Sequence, residues 1–345
     1  MSHIKIVDLL NNTKTLQEVT AKGWVRTFRN NQFIALNDGS TIHTIQCVVD
    51  FENTPEETLK RITTGAAICV KGTLVESQGA GQKVEIQVHA LEILGDSDAE
   101  KFPMQPKRHS LEFLRENAHL RVRTNTFAAV MRVRSALSFA VHSYFQQKGF
   151  FYVNTPIITG SDAEGAGEMF QVSALPFDNT PRTEEGKVNY KEDFFGKQTF
   201  LTVTGQLHAE ALAFSHKKVY TFGPTFRAEN SFTTRHLAEF WMIEPEVYFI
   251  DLNDLLHLSW SYCQFLVKTV LKDNLIELKT LEEVLEKDLL SPLTNFLSSS
   301  LRMKTYTEVI DILEQHKSSF EDSHIFWGMD LKTEHERFLV ESIEK

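Results

Sequence analysis

Residues 222–246 read FGPTFRAENSFTTRHLAEFWMIEPE, and the fold turns on this stretch. Strand-forming apolar residues flank a polar, turn-prone centre, which predicts two antiparallel strands joined by a loop. Arg227, Arg235 and His236, with the carboxylates of Glu229, Glu239, Glu244 and Glu246, alternate with large apolar side chains, and Phe226 and Phe240 bracket the polar part. Such a hairpin can set two guanidinium forks and an aromatic face around one ligand. Guanidinium matches phosphate oxygens in a bidentate way, and a phenyl face suits a purine. A nucleoside triphosphate is the ligand these residue types fit. A half-buried sheet whose charges pair with one another would have a similar composition.

Upstream, FFYVNTPIITGS at 150–161 reads as a strand interrupted by Pro156, a residue that sits best at a sheet edge or an interface. A long helical pattern precedes it, with Phe127, Val130, Val133, Leu137 and Val141 at helical spacing and Gly149 as its stop. Between this strand and the hairpin lie the small-residue segment SDAEGAGEMF (161–170), a polar insertion at 172–198 that predicts a surface excursion, and FLTVTGQLHAEA (200–211). From residue 250 onward the pattern is mostly helical.

Residues 19–95 read as a small β domain. Five strand-like segments are present, the last alternating Val84, Ile86 and Val88 against Glu85 and Gln87. TPEETLKRI, with Thr54 as the expected cap and Pro55 in the first turn, predicts a helix between the third and fourth strands. That order is the OB-fold order, whose open face often takes single-stranded nucleic acid. Pro103 and Pro106 then break regular structure ahead of LEFLRENAHL. The organisation expected is a β domain at 1–97, a hinge at 98–124 and a second, larger domain at 125–345.

With 345 residues, 42% apolar and 24% charged, the chain has enough apolar material for a sizeable core. A net charge of −10 argues against a general nucleic-acid binder, although Lys107, Arg108, Arg115, Arg121 and Arg123 form a local basic cluster. No apolar run approaches the roughly 18 residues that cross a bilayer, and MSHIKIVDLLNN lacks the pattern of a signal peptide. Cys47, Cys69 and Cys263 fit neither a disulfide framework nor a zinc site, which points to a reducing cytoplasm.

FRAE, a short polar insert and RHLAEF closely resemble motif 2 of class II aminoacyl-tRNA synthetases. The wording FRAENS…TRHLAEFWMIEPE resembles the asparaginyl branch of the aspartyl, asparaginyl and lysyl subclass. Helix, strand and Pro156 match motif 1, which builds the dimer interface in that family. The fold so implied is α+β, an OB-fold anticodon-binding barrel followed by an antiparallel-sheet catalytic domain. The activity implied is ATP-dependent ligation of asparagine to tRNA through an aminoacyl-adenylate, in a cytoplasmic homodimer that uses Mg²⁺ with ATP.

Carried over residue by residue, Arg227 holds the α-phosphate and the substrate carboxylate, and Glu229 orients the nucleotide or the tRNA end. Arg235 and His236 contact the outer phosphates, and Phe240 stacks on adenine. Glu164 binds the α-ammonium group from the mobile segment that holds Gly165 and Gly167, and Thr204 and Gln206 offer polar contacts to the amino acid. Where aspartyl enzymes carry a lysine this chain has Ala209, followed by Glu210. A side-chain amide offers N–H donors to Glu210, whereas a carboxylate would be repelled, which favours asparagine. On the OB domain, Arg29, Phe33 and Gln46 form the RNA face. Phe33 stacks an anticodon base and Gln46 bonds the central uridine. Phe33 also fits a core position of the second strand.

The resemblance has departures. The family's motif 3, with its γ-phosphate arginine, finds no match up to Lys345, and the family's acidic magnesium ligands are expected beyond that point as well, so the expected catalytic domain is incomplete at its C-terminal side. Phe232 and Phe28 replace polar and basic residues of relatives. An aspartyl-type or non-discriminating ligase, opposed by Ala209 and Glu210, and a non-catalytic tRNA-binding paralogue are the alternatives.

Overall fold

The computed structural model describes residues 3–12, 15–79, 81–163, 169–230 and 236–343. Helix α1 (Ile6–Leu10) leads into β1 (Gln17–Arg29), β2 (Phe33–Asn37), β3 (Ile45–Val48), α2 (Glu56–Arg61), β4 (Ala67–Glu76) and β5 (Val84–Gly95), and the strands close into a barrel in the order β1-β2-β3-β5-β4. Period-two alternation decides which side chains face inward. Ile34, Leu36, Ile45, Cys47, Val84 and Ile86 are buried inside, and Ile6 and Leu9 of α1 join them. Asp38 and Ser40 accept the N–H groups of Ile6 and Val7 at 2.9 and 3.0 Å, which seats α1 against the barrel. Helix α2 falls where the composition predicts it, but Thr54 is not its cap. The Thr54 hydroxyl donates to the Asp50 carbonyl instead, and the helix starts without a side-chain cap.

A short helix α3 (Leu111–Glu116), capped by Ser110, ends the connection to the second domain. Helix α4 (Asn125–Gln147), capped by Thr124, then runs back toward a sheet of β6 (Phe151–Tyr152), β10 (Lys218–Phe226) and β11 (Glu239–Val247), ordered β11-β10-β6. Between them in sequence come β7 (Ile158–Thr159), β8 (Gln171–Val172) and β9 (Thr199–Leu201), which form a small sheet, and α5 (Gln206–His216). Pro156 sits between β6 and β7, as its lack of an N–H predicts. Of the helical stripe read from the sequence, Val141 is buried but Val130 is 40% exposed. The buried side of α4 is set by Ala129, Ala140, Val141, Tyr144 and Phe145.

Helices α6 (Leu252–Asp273) and α7 (Leu275–Leu285) pack on α4, and α8 (Leu290–Ser298), α9 (Tyr306–Gln315) and α10 (Thr333–Phe338) follow. Ile310, Leu313, Phe320 and Ile325 form a separate small core there. The main core of the second domain joins Val141, Tyr144 and Phe145 of α4 to Tyr220, Phe222, Ile243 and Val247 of the sheet and to Leu258, Tyr262 and Phe265 of α6. One face of the β10–β11 hairpin is thereby consumed by packing. The other carries Thr221, Gly223, Met242 and Glu244.

Candidate functional site

Directly opposed residues of an antiparallel pair share a face. The observed register pairs Thr225 with Phe240, Gly223 with Met242, Thr221 with Glu244 and Val219 with Glu246. Arg227 extends this ladder, its N–H donating to the Ala238 carbonyl at 3.1 Å. All of these lie opposite the face that Tyr220, Phe222, Ile243 and Val247 bury against α4 and α6. At one end of the free face the Arg227 guanidinium lies 5.5 Å from the centre of the Phe240 ring. Glu229 and His236 approach to 3.9 Å across the hairpin loop. In the middle, a Cβ added at Gly223 would meet nothing within 4 Å, so the floor there is open.

At the other end α5 packs over the sheet through Ala209 and Ala213 against Val219. Its first turns present Gln206 and Glu210, joined by a 2.8 Å hydrogen bond from Gln206 Nε2 to Glu210 Oε1. Burial, then the nearby Glu210 and Glu244, hold the Glu246 carboxyl above the usual carboxylate range. Ala209 is fully buried, so no cation offsets these acids from that position. A carboxylate-rich end accepts N–H donors and disfavours a further carboxylate.

The resemblance puts Thr204 among the amino-acid contacts. Its side chain is buried, and its hydroxyl donates to Glu244 while accepting the Gln206 N–H at 3.1 Å. Thr204 therefore spends its hydroxyl inside the protein. Glu164 and Arg235 lie outside the described residues, as do Gly165, Gly167 and Phe232. Glu244 has no role in the sequence-based assignment. Counting by twos from Phe240 along 240, 242, 244 and 246 is the signal that would have placed it on the free face.

On the barrel, Phe33 pairs with Arg29 on one side and Val48 on the other, and Ala35 pairs with Gln46. Because Ile34 and Leu36 point inward, Phe33 and Gln46 belong to the outer face, and Phe33 is half-buried rather than part of the core. Gln46 Nε2 donates to Glu85 at 3.0 Å, and Glu85 also accepts from Ser77 Oγ at 2.9 Å and Gln87 Nε2 at 3.1 Å. A carboxylate only accepts, so Glu85 fixes which end of the Gln46 amide is nitrogen. The sequence shows Glu85 as an outward residue, but its meeting with Gln46 depends on the parallel β3–β5 pairing. A cavity of about 1600 Å³ runs from this barrel to α4, with Arg26, Arg29, Lys107, Arg108, Arg123 and Arg132 in its lining. Arg26 bonds the Arg123 carbonyl and Asn125, and Arg132 bonds the Gly39 and Ser40 carbonyls, so two of these arginines tie the domains together.

Residues 110–345 match the family model described as tRNA synthetases class II (D, K and N), and residues 19–94 match that of the OB-fold nucleic acid binding domain. The asparagine–tRNA ligase of Cytophaga hutchinsonii is 54% identical over 346 residues, an alignment that covers 99% of this chain and 74% of that protein. This chain belongs to the asparagine–tRNA ligase family. The asparagine–tRNA ligase of Borreliella afzelii is 51% identical over the same 99% of the chain and 74% of its own length. Among solved structures, the asparaginyl-tRNA synthetase of Pyrococcus horikoshii complexed with asparaginyl-adenylate superposes with a TM-score of 0.80 at 27% identity, covering 99% of this chain and 72% of that one. The asparagine–tRNA ligase fold thus accounts for both the barrel and the hairpin sheet. Among the described residues no three His, Cys, Asp or Glu side chains are gathered as a metal ion would need. No described helix is long and apolar enough to cross a membrane.

Proposed function

We propose that this chain ligates asparagine to tRNA, and that the free face of the β10–β11 hairpin is where asparagine meets ATP. The observation that carries the reading is the arrangement of that face. A guanidinium over a phenyl ring stands at one end, an open floor at Gly223 lies in the middle, and the Gln206–Glu210 pair closes the other end. The asparagine carboxylate attacks the α-phosphorus of ATP, pyrophosphate leaves, and asparaginyl-adenylate remains. A terminal ribose hydroxyl of tRNA then attacks the acyl carbon and AMP departs.

Arg227 neutralises charge on the α-phosphate as it builds. Phe240 stacks adenine and Glu229 orients the nucleotide, while His236 and Arg235 serve the outer phosphates. Gln206 and Glu210 read the amino acid, with Glu164 on its ammonium group. Magnesium enters with ATP. The exposed apolar side chains of Phe151, Tyr152, Ile157 and Ile158 around Pro156 fit a homodimer interface, and the free cysteines fit the cytoplasm.

The test is ATP–pyrophosphate exchange with asparagine and with aspartate. Exchange should require asparagine, and Glu210→Gln should erode the preference for asparagine by about 10- to 100-fold, the worth of a hydrogen bond to a charged group. Full preference retained in that variant would remove Glu210 from the assignment. On the barrel, Phe33→Ala is expected to raise the KM for tRNA about 5- to 150-fold, since a stacked base contributes roughly 1–3 kcal/mol. Pyrophosphate exchange without tRNA should be unchanged. An equal loss in both assays would mean that Phe33 matters only to the fold.

A further inference from the structure

Glu244 lies on the free face directly opposite Thr221, midway between the open floor and α5. Its carboxylate is shared among three protein donors. Thr221 Oγ1 donates to Oε2 at 2.7 Å, the Gly205 N–H to Oε2 at 3.1 Å and to Oε1 at 3.3 Å, and the Thr204 hydroxyl to Oε1. Thr204 in turn accepts the Gln206 N–H at 3.1 Å. The turn has no slack. A Cβ at Gly205 would stand 2.8 Å from Thr155 Oγ1, 3.0 Å from Thr221 Cγ2 and 3.1 Å from Glu244 Oε2. Thr202 closes the other side by donating its hydroxyl to the Thr204 carbonyl.

We propose that Glu244 is a positioning residue for amino-acid recognition: its carboxylate clamps the Thr204–Gly205 turn that presents Gln206, and it does not itself contact the substrate. This inference rests on the reading of Gln206 and Glu210 as the amino-acid end of the site. The lone pairs of Glu244 are directed at Thr204, Gly205 and Thr221, whereas Gln206 stands exposed on the first turn of α5 and bonds Glu210. Losing the clamp frees the start of α5 to drift, and a misplaced recognition group weakens asparagine binding while leaving the ATP end alone.

A clamp and a charge contact give opposite orders in a substitution series. Threonine hydroxyls rotate and can accept as well as donate, so the Gln amide can keep the Gly205 N–H and one hydroxyl on its oxygen and donate to the other. Aspartate is a methylene too short to span the same partners. Glu244→Gln should therefore stay within about threefold of the parent in KM for asparagine. Glu244→Ala and Glu244→Asp should raise it about 10- to 100-fold, with the KM for ATP unchanged. In a Gln206→Ala background the Glu244→Ala effect should shrink to about threefold or less, because the two act through one contact. The isosteric Thr221→Val should move the KM for asparagine in the same direction by a smaller factor.

Hydrogen–deuterium exchange of peptides spanning 202–210 tests the clamp without any turnover. Protection should persist in Glu244→Gln and fall in Glu244→Ala. A Gln variant as impaired as Ala with Asp retained, or unchanged protection in Glu244→Ala, overturns the proposal. Absence of asparagine-dependent exchange in the parent protein would overturn the proposed function instead, and hydrogen exchange alone would then decide the clamp.

Discussion

Replacing Arg227 with alanine is expected to lower asparagine-dependent pyrophosphate exchange by about 10²- to 10³-fold, the usual cost of removing one preorganised donor from a charge-developing centre. The expectation follows from where the side chain stands. Its backbone extends the β10–β11 ladder through the Ala238 carbonyl, so its position is set by the sheet. Its guanidinium is kept near the Phe240 ring, at 5.5 Å from the ring centre. A planar cation lying over the ring proposed to stack adenine can meet the α-phosphate of the same nucleotide. Arg227→Lys should recover little, because an ammonium cannot reproduce the planar fork that grips two oxygens. The melting midpoint should hardly move in either variant, since the residue packs at the rim of the sheet. Single-turnover adenylate formation, read beside thermal melting, checks both halves. Exchange above a tenth of the parent rate in the alanine variant would mean that another group carries the phosphate.

Much of this was legible from residue order. The hairpin at 222–246 could be read because its apolar alternation and its polar turn are local features. The barrel could be read for the same reason, from five alternating segments and one helix. What escaped depends on contacts between distant segments. Thr204 looks like a substrate contact in sequence, yet its hydroxyl is consumed by Glu244, forty positions later, once β11 is laid beside β10. Glu85 looks like any outward acid until the parallel pairing of β3 and β5 sets it beside Gln46. Helix α4 misled differently. Spacing alone set Val130 on one stripe with Val141, but the buried side is made by Ala129, Ala140 and Val141, and Val130 turns outward. Periodicity reports which residues share a face. Which neighbour covers that face is a tertiary fact.

Gly223→Val is expected to lower asparagine-dependent exchange about 10²-fold without destabilising the protein, an uncommon pairing for a glycine in a strand. Gly223 sits mid-strand in β10 opposite Met242 and is not among the glycines with positive φ, so its backbone admits any side chain. An added Cβ would meet nothing within 4 Å. Glycine inside a strand costs about 0.5–1 kcal/mol relative to alanine, and β-branched residues suit strands better still. Thermal melting should therefore show an equal or higher midpoint for the valine variant. The open space over Gly223 has a second meaning, however. It lies between the Arg227–Phe240 end and the Gln206–Glu210 end, where the proposed function brings the carboxylate of asparagine to the α-phosphate. Two methyl groups there lift the reacting groups off the floor, and a displacement of about 1 Å can cost roughly 10²-fold in rate. Gly223→Ala should fall between the parent and the valine variant in activity while gaining stability over glycine. Stability and activity thus move in opposite directions at one position, which a general loss of folding cannot mimic. Parental exchange in a well-folded Gly223→Val protein would show that the substrates do not lie across this face. A lowered midpoint would show instead that the glycine is needed for packing that the empty Cβ direction does not reveal.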